Sequence, residues 1–257
     1  KQDYFKAREW YEKAAKQEYA GAQYNLGVMY YHGHGVKQDY SKANEWFEKA
    51  AKQEHANAQY NLGFMYRQGQ GMKQDYSKAV KWYEKAAKQG IADAQYNLGN
   101  MYRDGQGMKQ DYSKAVKWYE KAAKQGIANA QYNLGVMYHQ GQGVKQDYSK
   151  ARLWWEKAAK KEYANAQYNL GGMYHQGQGV KQDYSKARLW WEKAAKQGQV
   201  NAQYNLGVMY EHGEGIEQSD SDSMRWYGRA AAQGHEKAKH SCNAVLQKRR
   251  EQKKSEG

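Results

Sequence analysis

Along residues 57–92, NAQYNLGFMYRQGQGMKQDYSKAVKWYEKAAKQGIA, apolar side chains recur at helical spacing in two successive stretches. In the first, Ala58, Leu62, Met65 and Tyr66 fall at i, i+4, i+7 and i+8; in the second, Ala79, Trp82, Tyr83, Ala86 and Ala87 repeat the pattern. Two amphipathic helices are predicted. Asn57 stands where a side-chain acceptor would cap the first, which runs to about Gln68, and Asp93, Asn129, Asn165 and Asn201 hold that place elsewhere. Gly69-Gln70-Gly71 stops it. Asp75 caps the second helix, Tyr76 to Gln89, as do Asp39, Asp111, Asp147 and Asp183 in other copies. Gly90, Gly126 or Gly198 then suits a left-handed C-terminal turn. The unit reads as an antiparallel helical hairpin.

The hairpin recurs. Tyr-Asn-Leu-Gly begins at Tyr24, Tyr60, Tyr96, Tyr132, Tyr168 and Tyr204, a fixed step of 36 residues, and self-similarity at such a period marks a solenoid whose units bury their apolar faces against their neighbours. The expected organisation is a lone second helix over 1–20, six hairpins over 21–236 (21–56, 57–92, 93–128, 129–164, 165–200, 201–236), and a capping helix with a basic tail over 237–257. A natural start would need a polar cover over Trp10 and Tyr11, so further residues are expected upstream. Gly63 lies mid-helix, where glycine costs about 1 kcal/mol against alanine. Its presence in all six copies predicts another helix crossing at close range, with Ala86-Ala87 offering a matching flat patch.

The pattern Ala58, Leu62-Gly63, Tyr66, Gly69-x-Gly71, Asp75, Ala79, Trp82, Ala86-Ala87 and Gly90 resembles the Sel-one-like repeat, a relative of the tetratricopeptide repeat, over residues 1 to about 246. The resemblance implies an all-α fold, an α-α superhelix built as a right-handed solenoid of antiparallel helix pairs. It also implies a protein that holds other proteins, as adaptor, exported bacterial factor, envelope export component or toxin antagonist. Cysteine-rich relatives bridge the second helix to the next first helix; the corresponding positions here, Ala51 and Gln59, carry no cysteine.

If the tetratricopeptide alignment carries over, the first helices line a concave wall through the positions of Asn57, Tyr60, Phe64, Arg67 and Gln68. The tyrosine is constant and its neighbours change: the Phe64 position reads Val28, Phe64, Asn100, Val136, Gly172, Val208, and the Arg67 position reads Tyr31, Arg67, Arg103, His139, His175, Glu211. Variation confined to one wall is what a binding groove would show, and this reading is preferred to drift at solvent-facing positions. The expected partner-binding residues are Tyr24, Tyr31, Tyr60, Phe64, Arg67, Tyr96, Asn100, Arg103, Tyr132, His139, Tyr168, His175, Tyr204 and Glu211. On the second helices, the exchange that produces Trp154-Trp155 and Trp190-Trp191 reads as convex-face packing, with Leu153 and Leu189 as a lesser candidate surface.

Charge is uneven. Against an overall +14, unit 57–92 sets six basic residues against Asp75 and Glu84, net +4, whereas unit 201–236 sets Arg225 and Arg229 against six acids, net −4. Lys78, Lys81, Lys85 and Lys88 form one solvated helix face, with Glu84 spaced i, i+4 from Lys88. In the tail, Ala238, Cys242, Val245 and Leu246 continue the first-helix pattern, with Asn243 in place of the glycine and Lys248, Arg249, Arg250, Lys253 and Lys254 following. Cys242, the only cysteine, is expected to be buried and excludes an internal disulfide. The 9 Trp and 25 Tyr are almost all repeat positions, so the aromatic excess is core chemistry multiplied by copy number.

No catalytic constellation survives comparison. His235-Glu236 and His240 resemble a zincin motif, but the histidines are five apart and do not share one helix face. The Gly-x-Gly loops lack the third glycine and preceding strand of a dinucleotide site and read as turns. No enzyme activity, metal site or cofactor is expected. The preferred function is a protein-interaction scaffold with a Tyr-lined groove for a peptide or protein, monomeric and exported from a bacterium, toxin neutralisation being a specific form of it. The alternative is an anionic polymer, nucleic acid or acidic polysaccharide, on the lysine-rich surface; nucleic acid is disfavoured because the basic surface lies away from the tyrosines. No run approaches a membrane span.

Overall fold

The computed structural model describes residues 3–255, with side chains to 252. The described residues form helices and no strands, and the chain divides into two units. The first, residues 1–130 with 142–144, contains α1 (Tyr4–Lys16), α2 (Ala20–His32), α3 (Tyr40–Lys52), α4 (Ala56–Gln68), α5 (Tyr76–Lys88), α6 (Ala92–Asp104) and α7 (Tyr112–Lys124). The second, residues 131–141 with 145–257, contains most of α8 (Ala128–Gln140), then α9 (Tyr148–Lys160), α10 (Ala164–Gln176), α11 (Tyr184–Lys196), α12 (Val200–His212), α13 (Asp220–Ala232) and α14 (Glu236–Ser255). Within each unit consecutive helix pairs stack as a repeat solenoid.

Local chemistry sets the helix ends. Asp75 is an extended N-cap whose carboxylate accepts from the Lys78 amide at 2.9 Å, and Asp39, Asp111, Asp147 and Asp183 do the same. Such a cap stabilises by about 1 kcal/mol. Asn57, expected to cap the first helix, lies inside it. The cap is His55, whose ring accepts from the Ala58 amide at 3.3 Å, because the tight turn after α3 leaves the extended geometry at residue 55. Gln199 caps α12 in the same way, whereas Tyr19, Ile91 and Tyr163 hold the position with no side-chain cap bond. Glu54 and Glu162, both at φ 59°, take the left-handed place that Gly90 and Gly126 hold elsewhere.

Ala58, Leu62, Met65, Ala79, Tyr83, Ala86 and Ala87 are buried, as their spacing requires. The helix crossing at Gly63 is close, but its partner is an aromatic ring and not Ala86-Ala87. A Cβ added to Gly63 would stand 2.7 Å from Tyr83 Cδ1, and one on Gly99 would stand 2.7 Å from Tyr119 Cδ1. The same site corrects the reading of Trp155 and Trp191. They are turned inward onto Gly135 and Gly171, each 3% exposed, and their indoles donate to the Tyr132 and Tyr168 carbonyls at 3.1 and 3.0 Å. Trp154 and Trp190 keep the more open side, each under a lysine ammonium.

Polar bonds join one repeat to the next. Gln59 is buried; its amide donates to the Ala51 carbonyl at 3.2 Å, so the two positions that cysteine-bridged relatives would link are linked here by a hydrogen bond. The Gly-x-Gly loops do more than turn. Gly71, at φ 70°, sits on the start of the preceding second helix, where a Cβ would meet the Tyr40 backbone, and its carbonyl accepts from Ser41 Oγ at 3.3 Å. Gly107 rests on Tyr76 and Ser77 in the same manner.

Lys78, Lys81, Lys85 and Lys88 are exposed, with Lys78 and Lys85 over the rings of Tyr66 and Trp82. Glu84 accepts a hydrogen bond from the Tyr102 phenol at 3.0 Å. Cys242 is half-buried instead of buried, since among the described residues no second helix follows α14 to close over it. The side chains of Lys253 and Lys254 lie outside the described residues.

Candidate functional site

The helical register that buries Leu62 and Met65 turns Tyr60, Phe64 and Arg67 to a shared side of α4, half-buried. In the first unit, α2 and α4 enclose a recess of 190 Å³ whose lining includes Val28, Tyr31, Tyr60 and Phe64, with Phe47 of α3 contributing from between them. In the second unit, α8 and α10 enclose a larger one, 370 Å³, lined by Tyr132, Val136, His139, Tyr168, Gly172 and Trp155 of α9, with Asn169, Gln176 and Gln178 among its polar groups. A third, 190 Å³, lies between α10 and α12 around Tyr168, His175, Trp191 and Val208. Each recess therefore draws on two neighbouring first helices and on the ring that packs against a first-helix glycine.

Not every expected residue falls in these recesses. Tyr24 stacks on His55 with ring centroids 4.6 Å apart, and Tyr204 on His235 at the same separation. Tyr96 leans on Tyr119. Arg103 is held by Asp104, Nε to Oδ1 at 2.7 Å, and that carboxylate bond raises the guanidinium above its ordinary value. Burial pushes the ionisation of the Tyr83 phenol strongly upward, and the positive charge of Arg67 acts weakly against it. Asn100 is buried, and its side-chain oxygen accepts from the Tyr119 phenol at 2.6 Å. Glu211 accepts from the Tyr227 phenol, which burial and this carboxylate together hold far above the usual range.

Two relations along the wall were not visible in the sequence reading. At Tyr60 and Tyr132 burial raises the phenol, and the asparagine of the next Tyr-Asn-Leu-Gly, Asn97 or Asn169, acts in the opposite direction. In three copies the variable position bonds to the middle residue of the next Gly-x-Gly: Tyr31 to Gln70 at 3.0 Å, His139 to Gln178 at 2.9 Å and His175 to Glu214 at 2.8 Å. The spacing of 39 residues shared by these three pairs is the signal that could have revealed the second. His139 and His175 each bond within their own repeat-to-loop pair, and among the described residues no group of three or more His, Cys, Asp or Glu could hold a metal ion. Among them, too, no helix is long and apolar enough to cross a membrane.

Comparison with known proteins is consistent along the chain. The family model described as the Sel1 repeat matches residues 1–19, 20–55, 56–91, 92–127, 128–163, 164–199 and 200–235. A protective antigen present in uropathogenic Escherichia coli strains, with an SLR fold, is 37% identical over 95% of this chain at a TM-score of 0.90. The present chain spans 52% of that protein's length. A Sel1 repeat protein from Oxalobacter formigenes is 36% identical, with 83% of this chain and 86% of that one covered and a TM-score of 0.71. No curated protein sequence matches the chain.

Proposed function

Because this chain belongs to the Sel1 repeat family, whose members serve generally as non-catalytic protein-interaction scaffolds, we propose that it holds a peptide or protein partner in a groove along its first helices. The observation that carries this reading is the recess between α8 and α10, where the constant residues Tyr132 and Tyr168 meet the variable residues Val136, His139 and Gly172 around one opening. Tyrosine offers a large amphipathic contact at low entropic cost, and a constant aromatic frame with changing neighbours gives affinity and selectivity separate positions. Toxin neutralisation is one form of the same activity, in which the partner is an enzyme and binding is read as its inhibition.

The exposed lysines support a second reading, an anionic polymer on the second helices. Lys114, Lys117, Lys121 and Lys124 surround Trp118 and Tyr102 with Glu120 as the single acid. Affinity chromatography from the source cell separates the two, with and without nuclease, at low and high salt, using wild type and a Tyr132→Ala/Tyr168→Ala variant. The groove reading expects a defined protein retained at high salt, lost in the variant and rebinding when purified, with helicity unchanged. Recovery only of salt-labile polyanion, indifferent to the tyrosines, would overturn it in favour of the lysine face.

A further inference from the structure

Gly171 and Gly172 are adjacent in α10, and only one has a structural reason to be glycine. A Cβ on Gly171 would collide with the Trp191 indole, whereas a Cβ on Gly172 would meet nothing within 4 Å. Glycine in a helix interior is destabilising, φ at Gly172 is not positive, and the equivalent positions carry Val28, Phe64, Asn100, Val136 and Val208. At equivalent register, the recess between neighbouring first helices measures 370 Å³ with Gly172 and 190 Å³ with Phe64 in its place, while the other recess that Gly172 borders, opposite Val208, measures 190 Å³.

We infer that the recess at Gly172 is the selectivity pocket of the groove and takes one aromatic side chain of an extended peptide that carries a basic residue beside it. This rests on the peptide-binding reading above. The pocket wall presents the rings of Tyr132, Trp155 and Tyr168, which suit an offset or edge-on fourth ring. No Asp, Glu, Lys or Arg lines it, so an uncharged side chain enters without burying an unmatched charge. The chain itself places a phenyl group, Phe64, at the equivalent register between two tyrosine-bearing helices. Asn169 and Gln176 supply amides for the backbone of an extended segment, and Gln178, whose Oε1 is taken by His139, supplies its Nε2. The basic neighbour follows from charge. Gly172 also borders the recess containing His175, whose ring is bonded to Glu214, and the repeat that follows carries Glu211, Glu214 and Glu217 against Arg225 and Arg229.

The test is selection of random phage-displayed heptapeptides on the full chain, followed by fluorescence polarisation of the labelled winners against wild type, Gly172→Ala, Gly172→Val and Lys73→Ala. Expected are peptides sharing one Trp, Tyr or Phe next to Lys or Arg. Affinity should fall at least tenfold when that aromatic becomes alanine and when Gly172 becomes valine, and less in Gly172→Ala. Lys73→Ala, at an exposed residue outside every recess, should leave it unchanged, and Gly172→Val, which restores the residue of three other copies, should melt no lower than wild type. Winners without an aromatic, an acidic neighbour in place of the basic one, or equal binding by Gly172→Val would overturn the inference. If a native partner is bound equally by wild type and Gly172→Val but lost in Tyr132→Ala/Tyr168→Ala, the pocket falls and the groove stands; if both variants retain the partner, the groove falls too.

Discussion

Gln95 and Gln125, thirty residues apart in sequence, share a half-buried hydrogen bond: the Gln125 amide donates to Gln95 Oε1 at 2.8 Å, while the Gln95 amide donates to the Ala87 carbonyl at 3.0 Å. One side chain thereby ties the end of one second helix to the end of the next. Gln23, Gln59, Gln167 and Gln203 repeat the arrangement with Gln53, Gln89, Gln197 and Gln233. Replacing Gln95 by leucine leaves the Ala87 carbonyl to the Gly90 amide and Gln125 to the Gly90 carbonyl, so a loss of about 0.5 to 1.5 kcal/mol is expected in urea unfolding. A double-mutant cycle with Gln125→Ala should return a coupling of roughly 0.5 kcal/mol or more; additive losses would show that the bond contributes nothing.

Gly63→Val and Gly99→Val should each destabilise by about 1 to 3 kcal/mol through overpacking against Tyr83 and Tyr119. Thermal melts of the single variants test this, and an unchanged melting curve would mean that the crossing tolerates a side chain. Shrinking the facing ring, in Gly63→Val/Tyr83→Leu, should return part of the loss.

His55 gives the first unit a pH dependence. Burial lowers the imidazole below its ordinary value of about 6.5, and only the neutral ring can accept the Ala58 amide. A group whose folded pKa is depressed contributes stability above its unfolded pKa and loses it as pH falls through the folded value. Stability should therefore be level above about pH 6.5 and decline below it, and His55→Asn, which can still cap, should remove the decline. A profile identical in the two proteins would refute the assignment.

Asn100 separates support from recognition. Its side chain is buried against the Tyr119 phenol, so Asn100→Ala should cost about 1 kcal/mol and leave partner affinity within about twofold. A tenfold loss of affinity at unchanged stability would make it a contact residue.

What could be read in advance was whatever depends on neighbours along the chain. Asp75 was legible as a cap because its acceptor meets the amide of Lys78, three residues on. Asn57 was misread because the cap is fixed by the preceding turn, which is set by how α3 ends and not by the side chain two places further on. Gly63 announced a close crossing, but the sequence could not say that Tyr83 makes it, since two helices must first be docked. The constant register of Tyr60 and Tyr132 was visible, whereas the rings beneath the recesses, Phe47 and Trp155, come from other helices. The burial of Asn100 depends on a phenol nineteen residues away.

The seat of Gly71 on Tyr40, repeated by Gly107 on Tyr76, also bears on how such a chain can change over generations. If residues 57–92 were lost in one step, Gly107 would meet Tyr40 and Gln95 would meet Ala51, the same chemical groups they meet now one copy later. Recombination between near-identical stretches of the gene can then add or remove whole copies without creating a foreign junction, so copy number is freer to drift than any side chain inside a copy. A rare residue such as Gly172 travels with its own copy through such events, but the neighbouring copy that supplies the rest of its pocket can change.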